Sequence, residues 1–477
     1  MAVSNAVLKQ YPTMDKALVE ELYQKALARN AAKIVVLDDD PTGVQTVHDI
    51  SVFTDWSVDS IREGFEEESN VFYILTNSRS MRSEETKMVH TLIAERICQV
   101  ASEKNKPYLI ISRSDSTLRG HFPLETETLR NVIEARDKTK MDGEILCPFF
   151  PEGGRYTIDN IHYVQNGDIL IPAAETEFAA DKTFGYHHSS IPEYIMEKTN
   201  GRYKAEDVSC ISLQTIREMD VEAITRQLEA VREFQKVCVN AIEYDDLKVV
   251  AAAVFRAIER GKHFVFRSAA GLVKILGGIS DRPLLTHDEM VQENCSNGGL
   301  IVVGSHTQKT TEQLNELLHM KNIRPVHFKS SLVLESEEIF EAEIRRCVAE
   351  AEEAITCGKT AVCYTDRQLL TRPNDTKESA LERSVRISDG VQRLVGELTV
   401  RPAFVIAKGG ITSSDIGKKA LAVRRARVMG QIRAGIPVWQ LGAESRFPDM
   451  PYVIFPGNVG TSSTLREAFE ILQKSPS

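Results

Sequence analysis

Short apolar, β-branched runs alternate with amphipathic stretches along this 477-residue chain. Ile34–Leu37, Ile50–Thr54, Val71–Leu75, Tyr108–Ser112 and Ile145–Phe150 read as strands. Met14–Asn30, Glu84–Glu103 and Leu124–Arg136 carry apolar residues at helical spacing between them. Continuous apolar runs of four or five residues suit strands of a parallel sheet covered on both faces. The alternation resumes with Val208–Ser212, Val237–Asn240, a helix over Asp245–Arg260 and His263–Arg267. Residues 277–298, rich in Gly, Pro, Asp and Asn, read as a linker. A second series of strands follows near 300–303, 326–328, 360–364, 403–407, 437–439 and 452–455, with an acidic helix over 336–357. The pattern loosens only from about 160 to 205. There Thr176–Asp181 and His187–Ser190 read as substrate-side loops of a lid or insertion. The expected fold class is α/β, with two wound α/β domains of mostly parallel sheets over 1–285 and 298–477 and a site in the cleft between them.

Polar residues gather where these strands end, which is where open α/β sheets keep their ligands. Asp38-Asp39-Asp40-Pro41-Thr42-Gly43 follows the first strand. Three adjacent carboxylates repel one another unless a cation or a set of donors offsets them. Thr76–Ser80, which includes Arg79, closes the Val71–Leu75 strand. Arg113-Ser114-Asp115-Ser116-Thr117-Leu118-Arg119-Gly120 closes the Tyr108–Ser112 strand, and Pro151–Arg155 forms a further rim. Arginine presents a planar fork to carboxylates, so Arg113 and Arg119 suit a small hydroxy acid, with Asp115, Ser116 and Thr117 for its hydroxyls. A capped helix start would account for the same cluster. In the second series, Gly304-Ser305-His306-Thr307, Lys408-Gly409-Gly410-Ile411-Thr412 and Pro456-Gly457-Asn458-Val459-Gly460 each follow a strand. Glycines there let the backbone approach a phosphate, amides and hydroxyls donate to it, and Lys408 is placed to neutralise its charge.

Composition narrows the classes. Hydrophobic content of 42% and charged content of 26% are those of a globular soluble protein, and the net charge of −10 comes with no basic stripe for nucleic acid. No apolar run reaches the length of a membrane span, and the start of the chain lacks a signal-peptide pattern. The eight cysteines form no CxxC pair, so free thiols in a reducing cytoplasm are expected and a zinc site is not. His48, His121, His162, His187 and His188 stay open as acid–base groups, and no metal ligand set stands out. There is no Walker P-loop, and no GxGxxG after a strand, which argues against a dinucleotide-dependent dehydrogenase.

Together these stretches resemble the four-carbon acid sugar kinase family. The resemblance rests on Asp39-Asp40-Pro41-Thr42-Gly43 and Asp115-Ser116-Thr117-Leu118-Arg119-Gly120, with looser matches at Ser268–Leu272, Gly304-Ser305, Lys408–Thr412 and Pro456–Gly460. It implies a sugar-acid-binding N-terminal domain, a nucleotide-binding C-terminal domain, and phosphorylation of a threonate, erythronate or 3-oxo-tetronate by ATP with Mg²⁺. Asp39 or Asp40 would then act on the attacking hydroxyl. Asp38, Thr42, Arg79, Arg113, Asp115, Ser116, Thr117 and Arg119 would hold the acid. Ser305, Lys408, Gly409, Gly410, Ile411, Thr412, Gly457 and Asn458 would hold the nucleotide. Ile411 stands where many relatives carry an acidic residue, and the 155–205 segment departs from the shorter members. The expected partners are the sugar acid and ATP, with neither nucleic acid nor membrane, and a homodimer is left open. The competing reading is a non-catalytic sugar-acid sensor, which would need the acids and arginines but not the C-terminal glycine turns.

Overall fold

The computed structural model describes residues 2–473 except 293, 294, 369, 371, 373, 374, 376 and 458. It divides the chain into two compact units, one of residues 1–46 and 55–281 and the other of 47–54 and 282–477. Both are mixed α/β.

The first unit is built on seven parallel strands in the order Ser209–Ile211, Gln235–Val239, Gly143–Cys147, Phe264–Ser268, Tyr108–Arg113, Lys33–Asp38 and Val71–Leu75. Every residue of Lys33–Asp38 is buried, as its unbroken apolar run requires. Helices such as Ser83–Lys104, Leu124–Asp137 and Tyr244–Glu259 connect the strands. Local signals start several helices. Asp15 accepts amide hydrogen bonds at the head of Lys16–Leu27, and a capping box of Glu243 and Asp246 opens Tyr244–Glu259.

The loosely patterned 155–205 segment is more ordered than its sequence suggests. Arg155–Ile158, Ile161–Asn166 and Ile169–Pro172 form an antiparallel sheet with Val3–Ser4 at its edge, and the helix Ile191–Lys198 follows. Its inner face packs Val164, Ala173, Tyr186, Ile191 and Tyr194 against Leu118, Phe122 and Leu146.

Among the described residues the second unit carries eight strands. Ile323–Phe328, Thr360–Thr365, Leu300–Val303, Val405–Lys408 and Pro451–Phe455 run parallel. Ile436–Leu441 and Arg425–Arg433 then continue the sheet antiparallel as a hairpin. Ile50–Phe53, read from the sequence as a strand among the N-terminal ones, pairs antiparallel with Arg425–Val428 here. Its apolar run marked it as a strand but carried no information on its partner. Among the described residues, no helix is long and apolar enough to cross a membrane.

Candidate functional site

In the first unit the parallel register sets the strand ends side by side. Asp38 lies opposite Leu75 on one neighbour and Arg113 on the other, and Arg113 lies opposite Ser268. The three acids therefore meet the residues after Leu75 and within Tyr108–Arg113. Arg79, from the short turn Ser78–Ser80, clamps Asp39 with Nη2–Oδ1 at 2.5 Å and Nε–Oδ2 at 3.0 Å. The same side chain reaches Asp40 Oδ2 at 3.4 Å and Asp115 Oδ1 at 3.9 Å. One guanidinium thus offsets the repulsion between carboxylates from two strand ends.

The three acids stand in different surroundings. Asp38 is fully buried. Burial pushes its carboxyl up to about 8 against the pull of Arg113, whose Nη1 lies 3.4 Å from Asp38 Oδ1. A methyl on Gly43 would lie 1.8 Å from Asp38 Oδ2, so only glycine lets the turn close over this carboxyl. Asp39 keeps only 2% of its side chain exposed; burial raises its carboxyl while Arg79 opposes the rise. Asp40 keeps 18%. Burial would raise it too, but Arg79 and Thr42 hold it below the usual carboxylate range, with Oδ1 accepting from the Thr42 amide at 2.9 Å and hydroxyl at 2.6 Å. Asp40 is therefore the ionised acid with an accessible surface.

Asp115 accepts from Arg119 Nε at 2.8 Å and from the Thr117 hydroxyl, and Arg119 Nη1 stands 3.7 Å from Asp181. Arg113 is only 4% exposed and turned onto Asp38 and Asp39, so it braces acids. The sequence grouped it with Arg119 as a fork for substrate.

The loop 113–121 is held from outside. Three successive carbonyls are gripped by the 155–205 segment. His162 Nε2 meets Ser116 O at 2.7 Å, Tyr186 Oη donates to Thr117 O at 2.7 Å and Tyr194 Oη donates to Leu118 O at 2.8 Å. Leu118 adopts φ +67°, a costly conformation for a branched residue, and these contacts hold it. Burial pushes His162 down to about 4, so its neutral ring braces the loop. His121 likewise points Nε2 at two carbonyls, Ser78 O and Met81 O, while His187 and His188 sit near Glu197 and Glu193. His48 meets Asp49 at 2.8 Å. Beneath the acids, Glu125 accepts from Ser78 Oγ at 2.6 Å and Arg267 Nη1 at 2.9 Å, a buried network absent from the motif reading.

In the second unit, Val303, Lys408 and Phe455 are in register on adjacent parallel strands, so the three glycine-bearing turns emerge together. A Cβ on Gly304 would lie 2.3 Å from Thr412 Oγ1, and one on Gly457 3.2 Å from Ser305 Oγ. Gly409 has φ +120°, and a Cβ there would lie 3.1 Å from that of Ser305. Thr310 Oγ1 bonds both Ser305 Oγ at 3.1 Å and Gly457 O at 3.0 Å, tying two of the turns. These turns border a cavity of about 330 Å³, within the range of small-molecule sites. Its lining includes Ser305, Gly410 and Thr412 at the turns and Leu370, Ile387 and Val391 beyond them. Ile411 borders it with 68% of its surface exposed.

Lys408, expected to meet phosphate, is fully buried. Its Nζ donates to Pro456 O at 2.5 Å and Gly457 O at 3.3 Å and lies 4.0 Å from the Phe455 ring centroid, so it holds the turn from below. Burial and the charge of Lys309 push it down to about 7. Arg367, which the motifs did not mark, bonds Ser305 O and Thr311 Oγ1 and leaves Nη1 buried without a partner. Asn458 lies outside the described residues. Among the described residues no group of three His, Cys, Asp or Glu is arranged to hold a metal.

Comparison with known proteins agrees with this division of labour. A family model described as a sugar-binding N-terminal domain matches residues 34–276, and one described as a nucleotide-binding C-terminal domain matches 300–465. The chain is 22% identical over 419 residues to a D-erythronate kinase of Heliobacterium modesticaldum, covering 80% of this chain and 88% of that one. Two crystal structures share the fold. A Haemophilus influenzae protein has a TM-score of 0.60 and 16% identity, covering 92% of this chain and all of that one. A Salmonella typhimurium LT2 protein provisionally described as a tRNA synthase has a TM-score of 0.64 and 16% identity, covering 91% and 98%.

Proposed function

Since this chain belongs to the four-carbon acid sugar kinase family, and is accordingly a phosphotransferase with an alcohol group as acceptor, we propose that it transfers the γ-phosphoryl group of ATP to a hydroxyl of a four-carbon sugar acid of the threonate, erythronate or 3-oxo-tetronate type. The observation that carries this reading is the cradle of three glycine turns beside Arg367. A sensor of sugar acids has no use for it. Gly304 and Gly409 let the turns pack closely against Thr412 and Ser305, so that backbone amides and hydroxyls converge at one place, and the orphaned Nη1 of Arg367 is a cationic donor beside Ser305.

Phosphoryl transfer is mostly positioning and charge stabilisation. Asp40 orients the acceptor hydroxyl and accepts its proton as the new O–P bond forms. Asp39 fixes Arg79, which keeps the neighbouring acids compatible. Thr42, Asp115, Ser116 and Arg119 face the substrate, the buried Thr117 holds Asp115 through its hydroxyl, and Asp38 and Arg113 brace the acids from within. Ser305, Gly409, Gly410, Thr412 and Gly457 surround the phosphates, and Ile411, Leu370, Ile387 and Val391 offer an apolar wall to the adenine. Mg²⁺ would neutralise phosphate charge and be held mainly by the phosphates themselves.

The test is ADP release with ATP and Mg²⁺ across D- and L-threonate, D- and L-erythronate, their 3-oxo forms and five-carbon aldonates. Turnover on one four-carbon acid is expected. ATP binding without turnover on any of them would move the substrate elsewhere, and no ATP binding would leave the sensor reading. Gly409→Ala is expected to weaken ATP binding about 10–100-fold, since the added Cβ strains a glycine-only conformation by roughly 1–3 kcal/mol. Calorimetry with ATP alone checks this, and unchanged affinity would remove Gly409 from the site.

A further inference from the structure

We propose that Arg155 receives the carboxylate of the substrate and makes the enzyme select an acid over a neutral polyol, an inference that rests on the sugar-acid kinase reading above. The other arginines of this rim are each committed to a carboxylate: Arg79 to Asp39, Arg113 to Asp38, Arg119 to Asp115 and Arg267 to Glu125. Arg155 is left over. Its side chain makes no hydrogen bond and has no carboxylate within ion-pair distance among the described residues, and its Nε is buried without a partner. Arg155 is half-buried; a buried guanidinium N–H without a partner is costly, and an anion held in its fork would offset that cost.

Its position is well defined. The Arg155 amide donates to Phe150 O at 2.9 Å and its carbonyl accepts from Phe150 N at 3.1 Å, which fixes the backbone at the head of Arg155–Ile158. Its guanidinium carbon lies 5.5 Å from the Phe178 ring centroid, and that of Arg119 lies 5.0 Å from the same centroid. Two cations thus converge on one aromatic ring, with Asp115 already engaged by Arg119 and Thr117. Burial and the charge of Arg119 lower the Arg155 guanidinium, whereas Asp115 raises it. Asp115 and Asp181 both pair with Arg119 and neither pairs with Arg155, so the carboxylate of a sugar acid would give the Arg155 fork its own partner. The contacts run from Asp40 through Arg79, Asp115 and Arg119 to Phe178, so the same rim that carries the base also carries the Arg155 fork. The 155–205 segment, with Arg155 at its head and Phe178 and Asp181 within it, would then set which acids fit.

The experiment compares kcat/KM for the best acid of the panel with that for its neutral carboxamide, in the wild type and in Arg155→Met and Arg155→Lys. Loss of a charge-paired contact is expected to lower the Met variant's kcat/KM for the acid about 100-fold, mainly through KM. The value for the carboxamide and the affinity for ATP should change little, and Lys should restore part of the acid preference. Equal losses on acid and carboxamide would show a structural role and overturn the proposal, as would no loss on either. Wild type that turns over no sugar acid at all would overturn it together with the reading it rests on.

Discussion

Asp40→Asn is expected to lower kcat by about 10²–10⁴-fold, the range by which a positioned general base contributes, or about 3–5 kcal/mol of transition-state stabilisation. The substitution is close to isosteric. Oδ1 would still accept from the Thr42 amide and hydroxyl, so the turn at Pro41–Val44 should survive and the KM for ATP should hold. What is lost is the negative charge on the one acid of the three that is both ionised and accessible. The pH profile offers a second check. A base must be unprotonated to act, so activity is lost as pH falls through its pKa. Arg79 and Thr42 hold Asp40 below the usual carboxylate value of about 3.9, so this residue should cause no loss of rate between about pH 7 and 5. Full turnover by both Asp40→Asn and Asp39→Asn would remove the acids from the chemistry.

The second large effect is on stability. Glu125→Leu is expected to cost the first unit about 3–5 kcal/mol, because it strands the Arg267 charge in a buried site. Glu125 is 1% exposed and satisfied by Ser78 and Arg267, with His90 Nε2 at 3.8 Å. Burial pushes its carboxyl up, but His90, Arg267 and Ser78 pull it down to about 2. A carboxyl lowered on folding stabilises above its unfolded pKa of about 4.3, and the contribution fades as pH falls toward the folded value. The gap between wild type and variant should therefore narrow from about pH 4 to about pH 2. Denaturation followed by amide exchange in Tyr108–Arg113 isolates the unit concerned. Adding Arg267→Leu should recover much of the loss, since removing both charges leaves neither unpaired. A wild-type melting profile in the single variant would show that the pair contributes nothing net.

Much of this protein was legible in its sequence. Lys33–Asp38 and Leu300–Val303 are buried on both faces, and runs of Ile, Val and Leu say so directly. The α/β class and the two glycine-bearing turns at Gly304 and Gly409 follow from strands that end in residues suited to sharp turns and close approach. Family membership was also readable, because Asp39–Gly43 and Asp115–Gly120 are contiguous motifs. The antiparallel sheet of 155–172 was not, since its strands are short and mix polar with apolar residues. The helix Lys377–Gly396 is likewise not among the elements that the sequence pattern predicts.

Sequence alone, then, determined the local elements, their periodicity and the chemical types gathered at each strand end, because these depend on residues close together in the chain. Tertiary structure decided the partnerships. Ile50–Phe53 pairs with Arg425–Val428, some 375 residues away, and no local pattern encodes that choice. Arg79 takes Asp39, Arg113 is buried under Asp38, Lys408 turns to backbone carbonyls, and Arg155 forms no ion pair among the described residues. Ion pairing and desolvation depend on distance in space and on access to water. The same residue type at similar strand ends thus becomes a brace in one place and an unpaired charge in another.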